Sequence, residues 1–215
     1  MRRLALIALL GSPCVAAPAM AHEAGEFFVR LGAVQIEPDA SSGSVLGGGV
    51  DVENATGLGF SGTWFATEHI GIELLAALPF EHDIVGAGAL KGVDIGSTKH
   101  LPPTLSLQYY PLSDSKFQPY VGIGLNYTIF FNSKTSTTLD TALNGDTDIS
   151  LDDSFGVAFQ IGADWQLNQN WYLNAAIWKI DIETTADISV DGTKAASVDV
   201  SIDPAVFMLG AGYAF

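Results

Sequence analysis

Residues 117–131 set Val121, Ile123, Leu125, Tyr127 and Ile129 against Gly122, Gly124, Asn126 and Thr128. A bulky apolar residue at every second position suits a pleated strand with one apolar face, and does not suit a helix. The pattern recurs along the chain. In 154–167 Phe155, Val157, Phe159, Ile161, Ala163 and Trp165 alternate with Ser154, Gly156, Ala158, Gln160, Gly162 and Asp164. Leu58, Phe60 and Trp64 stand against Gly57, Gly59, Ser61 and Thr63, and Leu105, Leu107 and Tyr109 against Thr104, Ser106 and Gln108. Strands are predicted near 26–36, 55–66, 70–81, 103–111, 117–131, 154–167, 171–184 and 200–215. Between them, short connections (67–69, 112–116, 168–170) alternate with long ones (37–54, 82–102, 132–153, 185–199). An even number of strands joined by tight turns at one end and long loops at the other is the pattern of a membrane barrel.

Composition narrows the choice. The chain is 48% hydrophobic and only 15% charged, unusually apolar for a soluble exported domain. Beyond its first residues it contains no apolar run of the ~18 residues that a membrane-crossing helix needs. Inside lipid every backbone group must be paired internally, which leaves a closed barrel once helices are excluded. The expected fold is therefore all-β, an eight-stranded antiparallel transmembrane β-barrel. Arg2 and Arg3, the apolar stretch Leu4–Leu10 and the Ala19-Met20-Ala21 motif predict a cleaved signal peptide over 1–21, with the barrel over 22–215. Export of such a barrel places it in the bacterial outer membrane, in contact with outer-membrane lipid and lipopolysaccharide. Cys14, the only cysteine, follows Gly11-Ser12-Pro13, which does not fit a lipid attachment site, and it leaves with the signal. The mature chain then has no disulfide. Removing two arginines leaves 7 basic against 24 acidic residues, a net charge of −17, which excludes nucleic acid as a partner.

Large residues on one phase and small or polar ones on the other fit a narrow barrel whose bulky side chains face lipid. A soluble lipocalin-like barrel would reverse the faces, but Gly, Ser and Thr make a poor solvent surface without charges. Trp64, Tyr109, Tyr110, Trp165, Trp171 and Tyr172 flank the three short turns and Tyr213 and Phe215 close the chain, as expected of an interfacial girdle. The alternation Phe207, Leu209, Ala211, Tyr213, Phe215 resembles the C-terminal signature read by outer-membrane assembly machinery, an expected partner.

Five stretches, HEAGEFFVR (22–30), GIELLAALPF (71–80), HLPPTLSLQYY (100–110), FQPYVGIGLNYTIFF (117–131) and DPAVFMLGAGYAF (203–215), resemble the outer membrane protein W family. The resemblance covers nearly all of the mature chain and is thinnest over 37–54, 132–153 and 185–199. It implies an eight-stranded barrel with a narrow, rather hydrophobic lumen, passage of small hydrophobic molecules, stress adaptation, and in some members service as a phage or bacteriocin receptor.

No catalytic constellation stands out. The serines lack a nucleophile-elbow context, so no enzyme activity, cofactor or metal is expected. His22, His69, His82 and His100 fall in terminus, turn and loop; His82, Asp83 and His100 bracket one long connection without metal-ligand spacing and read as loop decoration. The acidic residues concentrate in the long connections, where they serve solubility and repulsion, or share divalent cations with lipopolysaccharide. The lumen carries the site candidates. Gly71, Glu73, Leu75 and Ala77 take the inward phase of 70–81, and Asn174, Ala176 and Trp178 that of 171–184. Arg30, Glu73 and Gln108 then supply polar groups low in the barrel, with Leu75, Trp178 and Met208 as an apolar section above, either a plug or a hydrophobic gate. The expected function is a porin-like channel for small hydrophobic molecules; the alternative is a structural or recognition barrel that displays its loops without transport.

Overall fold

Eight antiparallel strands close on themselves in the computed structural model, which describes residues 22–43, 48–88, 91–112 and 115–215. The predicted signal peptide lies outside the described residues. The barrel strands are β1 (Phe27–Glu37), β2 (Ala55–Thr67), β3 (Ile70–Ala77), β4 (Thr104–Tyr109), β5 (Phe117–Thr135), β6 (Ser154–Gln166), β7 (Trp171–Ile180) and β8 (Ala205–Ala214). Each pairs with its neighbours in sequence, and β1 pairs with β8, for example Arg30 opposite Gly212, so that no edge is left in the barrel. Among the described residues no helix is long and apolar enough to cross a membrane.

The phases fall as the alternation predicts. Phe60, Leu105, Ile123, Phe159, Ile161 and Leu209 are exposed outward, while Ser61, Ser106, Ala158 and Asn174 are buried within. Small inward residues are a steric requirement. A Cβ on Gly162 would lie 2.5 Å from the Tyr120 ring, and one on Gly212 2.3 Å from that of Phe28. Trp64, Tyr109, Trp165 and Trp171 form an exposed girdle near the short turns. Tyr110 and Tyr172, expected in that girdle, turn inward and are buried. With Phe28, Phe65 and His22 they build an aromatic floor, in which His22 stacks on Phe65 at 3.9 Å.

The long connections expected as loops are largely strand. Asp94–Leu101 continues the sheet beside the far end of β5, Phe80–Gly88 pairs with it, and Gly48–Val52 pairs with Phe80–Gly88. Opposite stands a second sheet of Thr147–Leu151, Glu183–Val190, Thr193–Ser201 and the two-residue Ser41–Ser42. The predicted strand 70–81 accordingly stops at Ala77, breaks at Leu78-Pro79 and restarts; 171–184 breaks after Ile180, and 200–215 at Asp203-Pro204. Proline has no N–H for the ladder and marks two of these breaks. A short helix of about two turns with its N-cap at Ser136, α1 (Thr137–Leu143), covers the extension. On β5 an extra residue at Asn132, with φ 53°, swaps the two faces, so that Asn132 and Lys134 become the exposed positions.

Candidate functional site

The lumen has two chemically distinct sections. Near the short turns, Arg30 on β1 is fully buried and binds Asp164 on β6 through two bonds, Nε to Oδ1 at 3.1 Å and Nη2 to Oδ2 at 2.6 Å. Its Nη1 donates to Glu73 Oε1 at 3.2 Å and to Thr63 Oγ1 at 2.8 Å, and Nη2 also donates to Tyr110 at 2.6 Å. The guanidinium lies 4.4 Å above the Phe28 ring. Around this centre, Asn174 donates to Asp164 at 2.9 Å and to Tyr120 at 3.0 Å. Gln108 accepts from Tyr110 and donates to Gln160. A charge survives away from water only when paired and hydrogen-bonded, and the one base here is held between two acids.

Of the residues singled out in the sequence, Arg30 and Glu73 are thus in direct contact, and Gln108 joins them through Thr63 and Tyr110. Asp164, which holds Arg30 through two bonds, carries no predicted role in the sequence beyond its place in the alternation of 154–167. Leu75, Trp178 and Met208 are all buried. Leu75 stands opposite Ser61 and Thr104, beside the polar section, whereas Met208 pairs with Val34 and Ala176, and Trp178 with Val206 and Gln160.

Six residues beyond Arg30 on β1, about 20 Å along the strand, Ile36 lines a cavity of about 440 Å³ enclosed by the two outer sheets. Its walls are almost wholly apolar: Ile84 and Ile95 from one sheet, Ile149, Ala186 and Val198 from the other, with Leu139 of α1 above. Neither Leu75, Trp178 nor Met208 belongs to this lining. The outward positions of the same strands are Glu81, Asp83, Asp148 and Asp199, all exposed, with a Glu81–Lys99 ion pair at 3.3 Å. A charged outer surface places this extension in water, beyond the lipid band.

His82 and His100, read from the sequence as loop decoration, are buried in the cavity wall and stack on each other at 4.7 Å. Burial pushes both imidazoles below their ordinary range, that of His100 to about 3, with neighbouring His82 adding to the effect. The signal that finds His82 is the phase of 80–88, where it alternates with Glu81 and Asp83 and shares its face with Phe80 and Ile84. Among the described residues no group of three or more His, Cys, Asp or Glu is placed to hold a metal ion.

The OmpW family model matches residues 23–215. The chain belongs to the OmpW family. Outer membrane protein W of Escherichia coli is 44% identical over 218 residues, covering all of both chains, and that of Vibrio cholerae is 45% identical over 217 residues, covering 99% of this chain and 97% of its own. The crystal structure of the outer membrane protein OprG from Pseudomonas aeruginosa superposes with a TM-score of 0.83 at 39% identity, over 91% of this chain and 98% of that one. An OmpW-family barrel resides in the outer membrane, so the exposed apolar belt faces lipid and the surroundings include lipopolysaccharide.

Proposed function

We propose that this OmpW-family barrel admits small apolar solutes from the outside and delivers them to the outer membrane. The observation that carries the reading is the apolar cavity of about 440 Å³ above a lumen filled with paired charges. Burying apolar area stabilises a bound solute by about 25 cal/mol per Å², whereas the Arg30–Asp164–Glu73 section presents it with buried charges that are already paired with one another. In this reading Trp178 and Met208, together with Leu75, Gln108 and the charged section, close the lumen to axial passage, and the solute leaves sideways. The wall at that height supports a lateral exit: β3 ends at Ala77 and β4 starts at Thr104, and Pro79, Pro102 and Pro103 interrupt the ladder between them.

Uptake of an apolar solute by cells with intact lipopolysaccharide, lacking their own family member and supplied with this protein, tests the proposal. Wild type raises uptake, and Ala186→Trp, which fills the cavity, lowers it with the barrel still inserted. Uptake that does not depend on the protein would leave a barrel that only displays its surface.

A further inference from the structure

Among the described residues that line the apolar cavity, one buried polar side-chain atom has no hydrogen-bond partner, and its chemistry is fixed by the atom on the other side of its ring. His82 Nδ1 lies 2.6 Å from the carbonyl oxygen of Glu53. A carbonyl only accepts, so Nδ1 carries the ring proton and Nε2 presents a lone pair. The His82 side chain is 2% exposed, and its Nε2 is without a hydrogen-bond partner among the described residues. Burial keeps the ring neutral, so no second proton occupies that lone pair. The ring cannot easily turn away, because His100 stacks against it with planes 14° apart. Two threonines of the same lining are engaged elsewhere, Thr98 with Ser133 at 2.8 Å and Thr128, which donates to Asn126 Oδ1 at 2.7 Å. A buried acceptor without a donor carries a desolvation cost with no bond in return, and a donor that reaches it recovers that cost.

We propose that His82 Nε2 is the specificity contact of the cavity, selecting apolar solutes that carry one O–H or N–H donor, such as a phenol, an alkanol or a pyrrole-type N–H, over hydrocarbons of the same shape. This deepens the proposed channel function and rests on it for the solute's onward passage, though not for its binding. A site that hydrogen-bonds one group of its ligand rejects analogues lacking that group more strongly than an apolar wall rejects a change of shape.

The test compares naphthol with its methyl ether, which shares the ring system and lacks the donor. Binding to the full chain in lipid nanodiscs is read from ligand fluorescence, with empty nanodiscs as the partition blank. Wild type binds naphthol about tenfold more tightly than the ether. His82→Phe brings the two within about twofold by removing this one hydrogen bond and still binds the ether, while His82→Gln, which retains an acceptor, restores part of the preference. If His82→Phe does not insert, nitrogen NMR of histidine-labelled wild type serves instead: naphthol shifts the Nε2 signal and the ether does not. A wild type without preference, a preference unchanged in His82→Phe, or an Nε2 signal indifferent to naphthol overturns the inference. Uptake of both probes by cells separates the two readings. Protein-dependent uptake indifferent to His82 leaves the channel standing without this contact, and a binding preference without uptake leaves the contact standing without the channel.

Discussion

The lipid-embedded barrel and its outer extension share strands but invert their polarity. On β1 the inward residues run from Arg30 through Val34 to Ile36, while the outward ones run from Leu31 through Ala33 to Glu37. Within the membrane band the apolar set points out and the charges point in; in the extension Ile84, Ile149 and Val198 point in and Glu81, Asp83, Asp148 and Asp199 point out. The backbone pairing is of one kind throughout. What changes is the solvent beyond the wall: hydrocarbon accepts Phe159 and Leu209, water accepts Asp83, and the interior receives whatever the outside rejects. The inversion converts a polar plug into an apolar cup along a single lumen.

The largest effect is expected where the comparison is most extreme. Arg30→Met leaves Asp164 and Glu73 buried without their cation and costs about 3–5 kcal/mol, measured by reversible urea unfolding in lipid vesicles. An effect below about 1 kcal/mol would place that network in contact with water. Phe159→Arg puts a charge into lipid and costs about 2–4 kcal/mol near the midplane, whereas Asp83→Arg, also outward but on the extension, stays within about 0.5 kcal/mol. Equal costs would remove the boundary between the two regions. A topological test follows: an impermeant thiol reagent labels Asn144→Cys in intact cells and not Ser115→Cys, and the reverse would invert the barrel.

The smallest effect concerns pH. His100 falls from the ordinary 6.5 to about 3 in the folded extension, because burial opposes its charge. Below 6.5 the unfolded strand binds a proton that the folded one refuses, so this contribution is fully present above 6.5 and is lost progressively as pH falls toward 3. Amide exchange across Asp94–Leu101, corrected for intrinsic rate, quickens between about pH 7 and about pH 5, while β6 amides are unchanged. His100→Phe reduces the difference, and removing His82, whose imidazole burial also holds low, together with it abolishes the difference.

Much of the band was legible because lipid demands a strict alternation, and Phe155 to Trp165 supply it without interruption. The extension was not, because its inward residues (Ile84, Ile149, Val198) are separated by Asp, Ser and Gly that read as loop. Its strands also pair across the break at Leu78-Pro79 and past an extra residue at Asn132, which no period reveals. The Arg30–Asp164 pair spans 134 positions. Yet the three charges on inward phases of the band, Arg30, Glu73 and Asp164, were visible together, and the rule that buried charges pair links them. Tyr110 and Tyr172 misled because an aromatic beside a turn suits either face. Only their phase, one residue past Tyr109 and Trp171, separates floor from girdle.

The boundary between the two regions is tested most directly by nitroxide accessibility along β5 in lipid bilayers. A label at Leu125 should collide with lipid-dissolved oxygen and escape a water-soluble nickel chelate, whereas one at Lys134, beyond the face swap at Asn132, should show the opposite. Oxygen-dominated collisions at both positions would put the apolar cavity inside the membrane band and contradict the account.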